Sequence, residues 1–260
     1  MATYIISDIH GQLDLFKQLL EKVNFHYDFS DELYILGDYC DWGEKPIDTL
    51  LYVMDLVEKY SFIHCTIGNH DTWLRDCIIN KWKMHNVVWS GWGQNRGDLT
   101  YKDLSSRDNE TKQRILDFLM DLPLEYSDIT VSNRLFHLAH AAPMNMNKGK
   151  NKEDTAIWSR LDWNERPNGI NNEYTMFIHG HTITSSYLNR CKSLKTEVVT
   201  SAESLVMDID CGAKAAIISS GYRLAIVDIS NMKVYYSDEN NPTPIWLSDD
   251  TYNKLNMQFI

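Results

Sequence analysis

Six residues of this chain carry nitrogen or oxygen donors where backbone turns would aim them at a common point: Asp8, His10, Asp38, Asn69, His140 and His181. Asp8 and His10 stand two apart in Ser7-Asp8-Ile9-His10-Gly11, and Gly11 lets the chain bend away behind them. A carboxylate and an imidazole so spaced form a metal-ligand pair. Asp38 follows Gly37, and its two carboxylate oxygens allow it to bridge two cations. Asn69, in Gly68-Asn69-His70-Asp71, offers a neutral amide oxygen, while His140 precedes Ala141-Ala142-Pro143 and His181 lies in Gly180-His181-Thr182. None of the six is a thiolate. The set therefore fits two divalent ions, Mn²⁺ first with Fe or Zn²⁺ as alternatives, better than a structural cysteine site.

The surrounding pattern supplies the elements that must hold these turns. Short apolar runs at 3–7, 33–36 and 62–66 read as strands, and helical spacing separates them: Leu13, Phe16, Leu20 and Val23, then Ile47, Leu50, Leu51, Met54 and Val57. Strand and helix alternating in this way predict βαβ units and a mainly parallel sheet. Each strand runs into one of the polar turns, and ligands of such sheets bind beyond the carboxyl ends of the strands. Residues 80–105, with Trp82, Trp89, Trp92, Gly91, Gly93 and Gly97, read as a loop or short-helix cover, followed by a helix over 108–121. Apolar runs at 135–139, 176–178, 205–209, 223–227 and 233–236 predict strands of a second sheet. Residues 237–242 read as a loop, and the stretch to Ile260 has no assignable pattern.

Composition narrows the class. With 260 residues and 43% hydrophobic content, the chain can build a large core, and a disulfide-stapled mini-protein is excluded. A net charge of −11, from 25 Lys+Arg against 36 Asp+Glu, argues against sequence-independent binding to nucleic acid or to an anionic membrane. No apolar run approaches the roughly 18 residues of a membrane span, and Met1-Ala2-Thr3-Tyr4 has no basic leader, so the expectation is a complete cytoplasmic chain. The five cysteines, Cys40, Cys65, Cys77, Cys191 and Cys211, lack any C-x-x-C pair and read as reduced core thiols.

Ser7-Asp8-Ile9-His10-Gly11, Gly37-Asp38-Tyr39-Cys40-Asp41, Gly68-Asn69-His70-Asp71, His140-Ala141 and Gly180-His181-Thr182 together resemble the signatures of the phosphoprotein phosphatase family of metallophosphoesterases. The bacterial and lambda-phage-type serine/threonine phosphatases are nearest in size. The resemblance runs from residue 3 to about residue 230 and includes Ile157-Trp158-Ser159-Arg160, similar to the family segment that carries a phosphate-binding arginine. It implies an α/β (α+β) metallophosphatase-like fold, a two-sheet β-sandwich flanked by helices with a dimetal site at the carboxyl edge of the strands. It further implies a calcineurin-like domain over 1–236 and a tail over 237–260. By the same resemblance Asp8 and His10 hold one metal, Asp38 bridges, and Asn69, His140 and His181 hold the second. A shared hydroxide then attacks phosphorus in line, His70 protonates the leaving alkoxide, Asp41 orients His70, and Arg160 grips phosphoryl oxygens.

Two departures stand out. The family usually has an arginine directly after the equivalent of Asp41, where this chain has Trp42, and Asp71 stands where protein phosphatases usually carry Glu. Arg96, in Asn95-Arg96-Gly97, falls near an Asn-Gly-Gly stretch of bacterial relatives and is a candidate substitute for the missing guanidinium. The leading expectation is a phosphomonoesterase acting on phosphoserine or phosphothreonine in proteins and on small phosphoesters. The alternative is a hydrolase of diadenosine tetraphosphate-like dinucleotides, with Trp42 stacking a base. A phosphate-binding module without activity comes third. Oligomeric state is not encoded in any of these patterns; His137 and His179 read as core residues or as supports behind the ligands, and His26, His64 and His85 as ordinary polar positions.

Overall fold

The computed structural model describes residues 1–28, 30–146, 148–162, 165–170, 172–186, 195–201, 205–216 and 221–245. Cys191 and the stretch 246–260 of the expected tail lie outside the described residues. The chain opens as the pattern predicts: β1 (Ala2–Ile6), α1 (Leu13–Lys22), β2 (Asp31–Ile35), α2 (Pro46–Lys59), β3 (Ile63–Cys65) and α3 (Asn69–Asn80). β1 pairs in parallel with β2, and β2 with β3. Local chemistry sets the helix ends. α2 starts on Pro46, whose fixed φ suits the first turn and whose missing N–H has no helical partner to lose. Asp48 in its first turn and Lys59 in its last turn complement the helix dipole.

The cover is helical: α4 (Met84–Val88), α5 (Gly91–Gln94), α6 (Gly97–Ser105) and α7 (Asn109–Asp121). Asp108 caps α7 by accepting the Thr111 N–H at 2.7 Å, and the helix stops before Pro123, which disfavours helical geometry in the residue preceding it. The second half contributes β4 (Glu125–Val131), β5 (Arg134–Ala139), α8 (Lys152–Trp158), β6 (Met176–His179), β7 (Val199–Ser201), β8 (Val206–Asp208), β9 (Ala225–Asp228), β10 (Lys233–Tyr236) and β11 (Thr243–Pro244).

Two sheets result, ordered β11-β10-β9-β1-β2-β3 and β4-β5-β6-β8-β7. One expectation is corrected here. The runs at 223–227 and 233–236 are strands, but they belong to the first sheet: β9 pairs antiparallel with β1, and β10 with β9. Strand periodicity reveals which residues are buried and not which edge they join. Beyond residue 236 the chain stays on this sheet, since β11 pairs with β10 and the Lys22 ammonium donates to the carbonyls of Tyr236, Ser237 and Glu239.

Side chains alternate across each strand, so the central strands of the first sheet serve two cores. Ile5, Tyr34 and Val227 meet Phe136, Leu138, Ile178 and Met207 of the second sheet between the layers. On the other face Tyr4, Ile6, Leu33 and Ile35 pack on Phe16, Leu50, Leu74 and Ile115 of the helices. Burying a residue such as Phe16, which is fully buried, contributes roughly 2–3 kcal/mol. With the sandwich locked in this way, the carboxyl ends of β1, β2, β3, β5 and β6 converge on one edge. Among the described residues no helix is long and apolar enough to cross a membrane.

Candidate metal centre and active site

The turns after β1 and β2 are stitched together by their backbones. The Asp8, His10 and Gly11 N–H groups donate to the carbonyls of Gly37, Asp38 and Tyr39 at 3.2, 2.9 and 2.9 Å. The Gly180 N–H donates to the His140 carbonyl at 2.9 Å, which ties the two turns of the second sheet in the same manner. Six non-glycine residues here adopt left-handed backbone: Asp8 (φ 53°), His10 (47°), Asp38 (55°), Asp41 (69°), Trp42 (60°) and His181 (66°). Each such residue costs on the order of 1–3 kcal/mol, so the core must hold them in place. Gly68 and Gly180 complete the crowding, because a Cβ on Gly68 would meet the Asp38 carboxylate and one on Gly180 would meet Asp8 and Ser7.

All six expected ligands are buried and brought together. Asp38 is central. Its Oδ2 lies 3.5 Å from His10 Nε2, and its Oδ1 lies 3.5 Å from His140 Nε2. His10 Nε2 is also 3.9 Å from Asp8 Oδ1. These separations are too long for good hydrogen bonds and short enough for donors that share an ion. Asn69 Oδ1 faces His140 Nε2 at 3.0 Å and His181 Nδ1 at 2.9 Å, and the His181 N–H donates to Asp8 Oδ2 at 3.0 Å. Two donor groups emerge, Asp8-Asp38-His140 and His10-Asp38-His70, with ligand atoms within 4.8 Å of one another in each. Asp38 belongs to both.

The outer nitrogens of the ligands are fixed by backbone carbonyls. His10 Nδ1 meets the Cys40 carbonyl at 2.9 Å and His140 Nδ1 the Leu36 carbonyl at 2.7 Å, which makes each Nδ1 the protonated nitrogen and turns Nε2 inward as a lone pair. Asp8 Oδ1, His10 Nε2 and His181 Nε2 are buried and have no hydrogen-bond partner among the described residues. Buried polar atoms rarely stay unpaired, and these three are types that bind Mn²⁺, Fe or Zn²⁺. Electrostatics agree. Burial, then the neighbouring Asp8 and Asp71 carboxylates, push the Asp38 carboxyl well up, while burial, then His70, pushes the His10 imidazole well down. The residues fit a pair of cations.

His70 stands closer than the sequence suggests. It is expected beside the ligands, yet it offers a ring nitrogen to the His10-Asp38 group. Its Nδ1 lies 2.5 Å from Asp41 Oδ2, which also accepts the Trp92 indole N–H at 2.7 Å, while Thr100 donates its hydroxyl to Asp41 Oδ1. Burial pushes Asp41 up to about 7, but the Thr100 and Trp92 donors oppose it and favour the carboxylate. The Asp41 carboxylate, which also accepts the Trp92 N–H, accepts a hydrogen bond from the His70 Nδ1–H, which leaves His70 Nε2 for the cleft.

Arg160 lies on the same cleft, lined also by His181, Thr182 and Lys214, and donates to Thr182 Oγ1 at 2.8 Å. Arg96 is exposed at the start of α6 in left-handed backbone (φ 64°), and its guanidinium makes no hydrogen bond or ion pair with another described residue. Four further residues support the site, and the sequence assigns none of them that role. Asp71 caps α3 through the Gly68 N–H at 2.8 Å and also accepts the Asp38 and Tyr39 N–H groups at 2.8 and 3.0 Å, so its carboxylate shapes the bridging turn. Its position three residues after Gly68 is a helix-start signal visible in the sequence. Trp92, Thr100 and Lys214 reach the site from far along the chain, and no local pattern marks them. The Cys40 thiol is pushed well up by burial, then by Asp41, consistent with an inert core cysteine.

A family model for calcineurin-like phosphoesterases matches residues 1–202. The chain belongs to this family. A symmetrical bis(5'-nucleosyl)-tetraphosphatase from Marinomonas sp. is 30% identical over 138 residues, 53% of this chain and 44% of that protein. Another from Glaesserella parasuis is 43% identical over 74 residues, 28% of this chain and 26% of that protein. The matched stretch thus spans less than half the length of these curated relatives. Among solved structures, a cold-active protein tyrosine phosphatase superposes with a TM-score of 0.61 at 14% identity, covering 98% of this chain and 80% of that one. This last likeness is one of fold alone, and it places this calcineurin-like chain in the two-sheet architecture expected from its motifs.

Proposed function

We propose that this chain is a metal-dependent phosphoesterase that hydrolyses dinucleoside tetraphosphates. The observation that carries the reaction class is Asp38, with one carboxylate oxygen toward His10 and the other toward His140. Asp8 and His10 on one side, and Asn69, His140 and His181 on the other, would hold the two ions. Such a pair supplies Lewis-acid polarisation of phosphoryl oxygens and a water of lowered pKa. The protein's own groups do the rest. Arg160 presents its guanidinium to non-bridging oxygens from the rim, and His70 Nε2, held by Asp41, exchanges a proton with the departing oxygen.

The substrate class is supported by the curated relatives and by two features of the chain. Trp42 replaces the arginine common in the protein phosphatases that the motifs resemble. A row of rings also borders the site: His70 to Trp73 at 4.9 Å, Trp73 to Trp158 at 4.9 Å and Trp158 to His181 at 6.1 Å. Trp158 is 38% exposed, so part of its ring is left to solvent, and stacking of a nucleobase on an aromatic side chain contributes roughly 1–3 kcal/mol. Phosphoserine and phosphothreonine proteins, the first expectation from the motifs, rest on that resemblance alone and rank second.

A direct comparison separates these readings. Mn²⁺-loaded protein is expected to turn over bis(5'-adenosyl) tetraphosphate with a kcat/KM at least tenfold above that for a phosphoserine peptide, and metal-stripped protein is expected to act on neither. The reverse preference would return the protein phosphatase reading to first place.

A further inference from the structure

Trp42 occupies the place where the resemblance expects an arginine, and it brings no positive charge there. Its half-buried ring carries an indole N–H that has no hydrogen-bond partner among the described residues. A cation arrives from elsewhere. After β8 the chain turns at Gly212, in left-handed backbone (φ 77°), where the Gly212 N–H donates to Asp210 Oδ1 at 2.8 Å. Ala213 is buried, and Lys214 emerges with its Nζ 5.9 Å from the centroid of the Trp42 ring. Its side chain lines the same cleft as Arg160, His181 and Thr182.

Lys214 makes no ion pair or hydrogen bond with another described residue. Other lysines of this acidic chain do find acceptors: Lys45 pairs with Asp14, Lys148 with Glu165, Lys195 with Asp238. We propose that Lys214 binds a non-bridging phosphoryl oxygen of the substrate, with Trp42 bracing its stem, and so supplies the charge of the arginine that Trp42 replaces. An ammonium is a compact charge on a flexible stem, without the planar fork of a guanidinium. It suits one phosphate within a run of phosphates better than a single rigidly held monoester.

The inference rests on the phosphoesterase reading, and titration calorimetry of Mn²⁺-loaded protein with inorganic phosphate tests the two apart. Lys214→Met is expected to weaken phosphate binding about tenfold, the scale of one charge-assisted contact, with metal content and Tm unchanged. Lys214→Arg should keep most of the affinity, and adding Trp42→Arg to Lys214→Met should recover it. Wild-type binding with Lys214→Met within twofold of it overturns the assignment. So does a tenfold loss in Arg96→Ala with none in Lys214→Met, which would give the position to Arg96. A wild-type protein that binds no phosphate overturns the phosphoesterase reading as well.

Discussion

Asp38→Asn is expected to leave the protein folded, strip both metal equivalents and lower turnover by on the order of 10³-fold or more. Losing two Lewis acids removes several kcal/mol of transition-state stabilisation, and each tenfold corresponds to about 1.4 kcal/mol. The geometry makes Asp38 the most damaging ligand to change. Its Oδ2 approaches His10 and its Oδ1 approaches His140, so an amide nitrogen on either side places a donor where a lone pair is needed. In the proposed arrangement each of the other ligands would serve one ion. Elemental analysis with a melting curve checks the expectation. Two retained equivalents with near-normal turnover would show that Asp38 does not bridge.

His70→Asn is expected to lower kcat by roughly 10²–10⁴-fold, the range of a positioned acid or base, and the loss must depend on the leaving group. A serine alkoxide needs a proton on departure, which His70 Nε2 gives only from the imidazolium form of the ring. A nitrophenolate, or a nucleoside diphosphate released from a tetraphosphate, leaves as a more stable anion, so the loss should be largest on a phosphoserine peptide. Because His70 also reaches the His10-Asp38 group, metal content has to be measured beside the rates. Retained metal with a graded loss identifies proton transfer; lost metal with equal losses on all substrates identifies a ligand.

The six candidate ligands can be picked out of the sequence because each lies within a few residues of the end of a strand, in a short segment whose composition is local. The βαβ start was legible for the same reason: its helices and strands announce themselves by periodicity. What escaped was long-range. β9 carries the alternation of a strand, but its antiparallel place beside β1 depends on a pairing across more than two hundred residues, Tyr4 opposite Asp228. β4 carries no strand signature in the sequence because Glu125-Tyr126-Ser127-Asp128 is polar and its register with β5 shifts between Tyr126 and Ile129. Trp92 and Thr100 hold Asp41 from 51 and 59 residues away, and Lys214 reaches the cleft from the turn after β8. Side chains that complete a site from a distance leave no spacing to read.

The central claim is that Asp38 joins two cation sites. Anomalous diffraction from crystals grown with Mn²⁺ tests it most directly: two peaks are expected, one on the side of Asp38 Oδ2 with His10 and one on the side of Oδ1 with His140. A single peak, or none within reach of Asp38, would contradict the account.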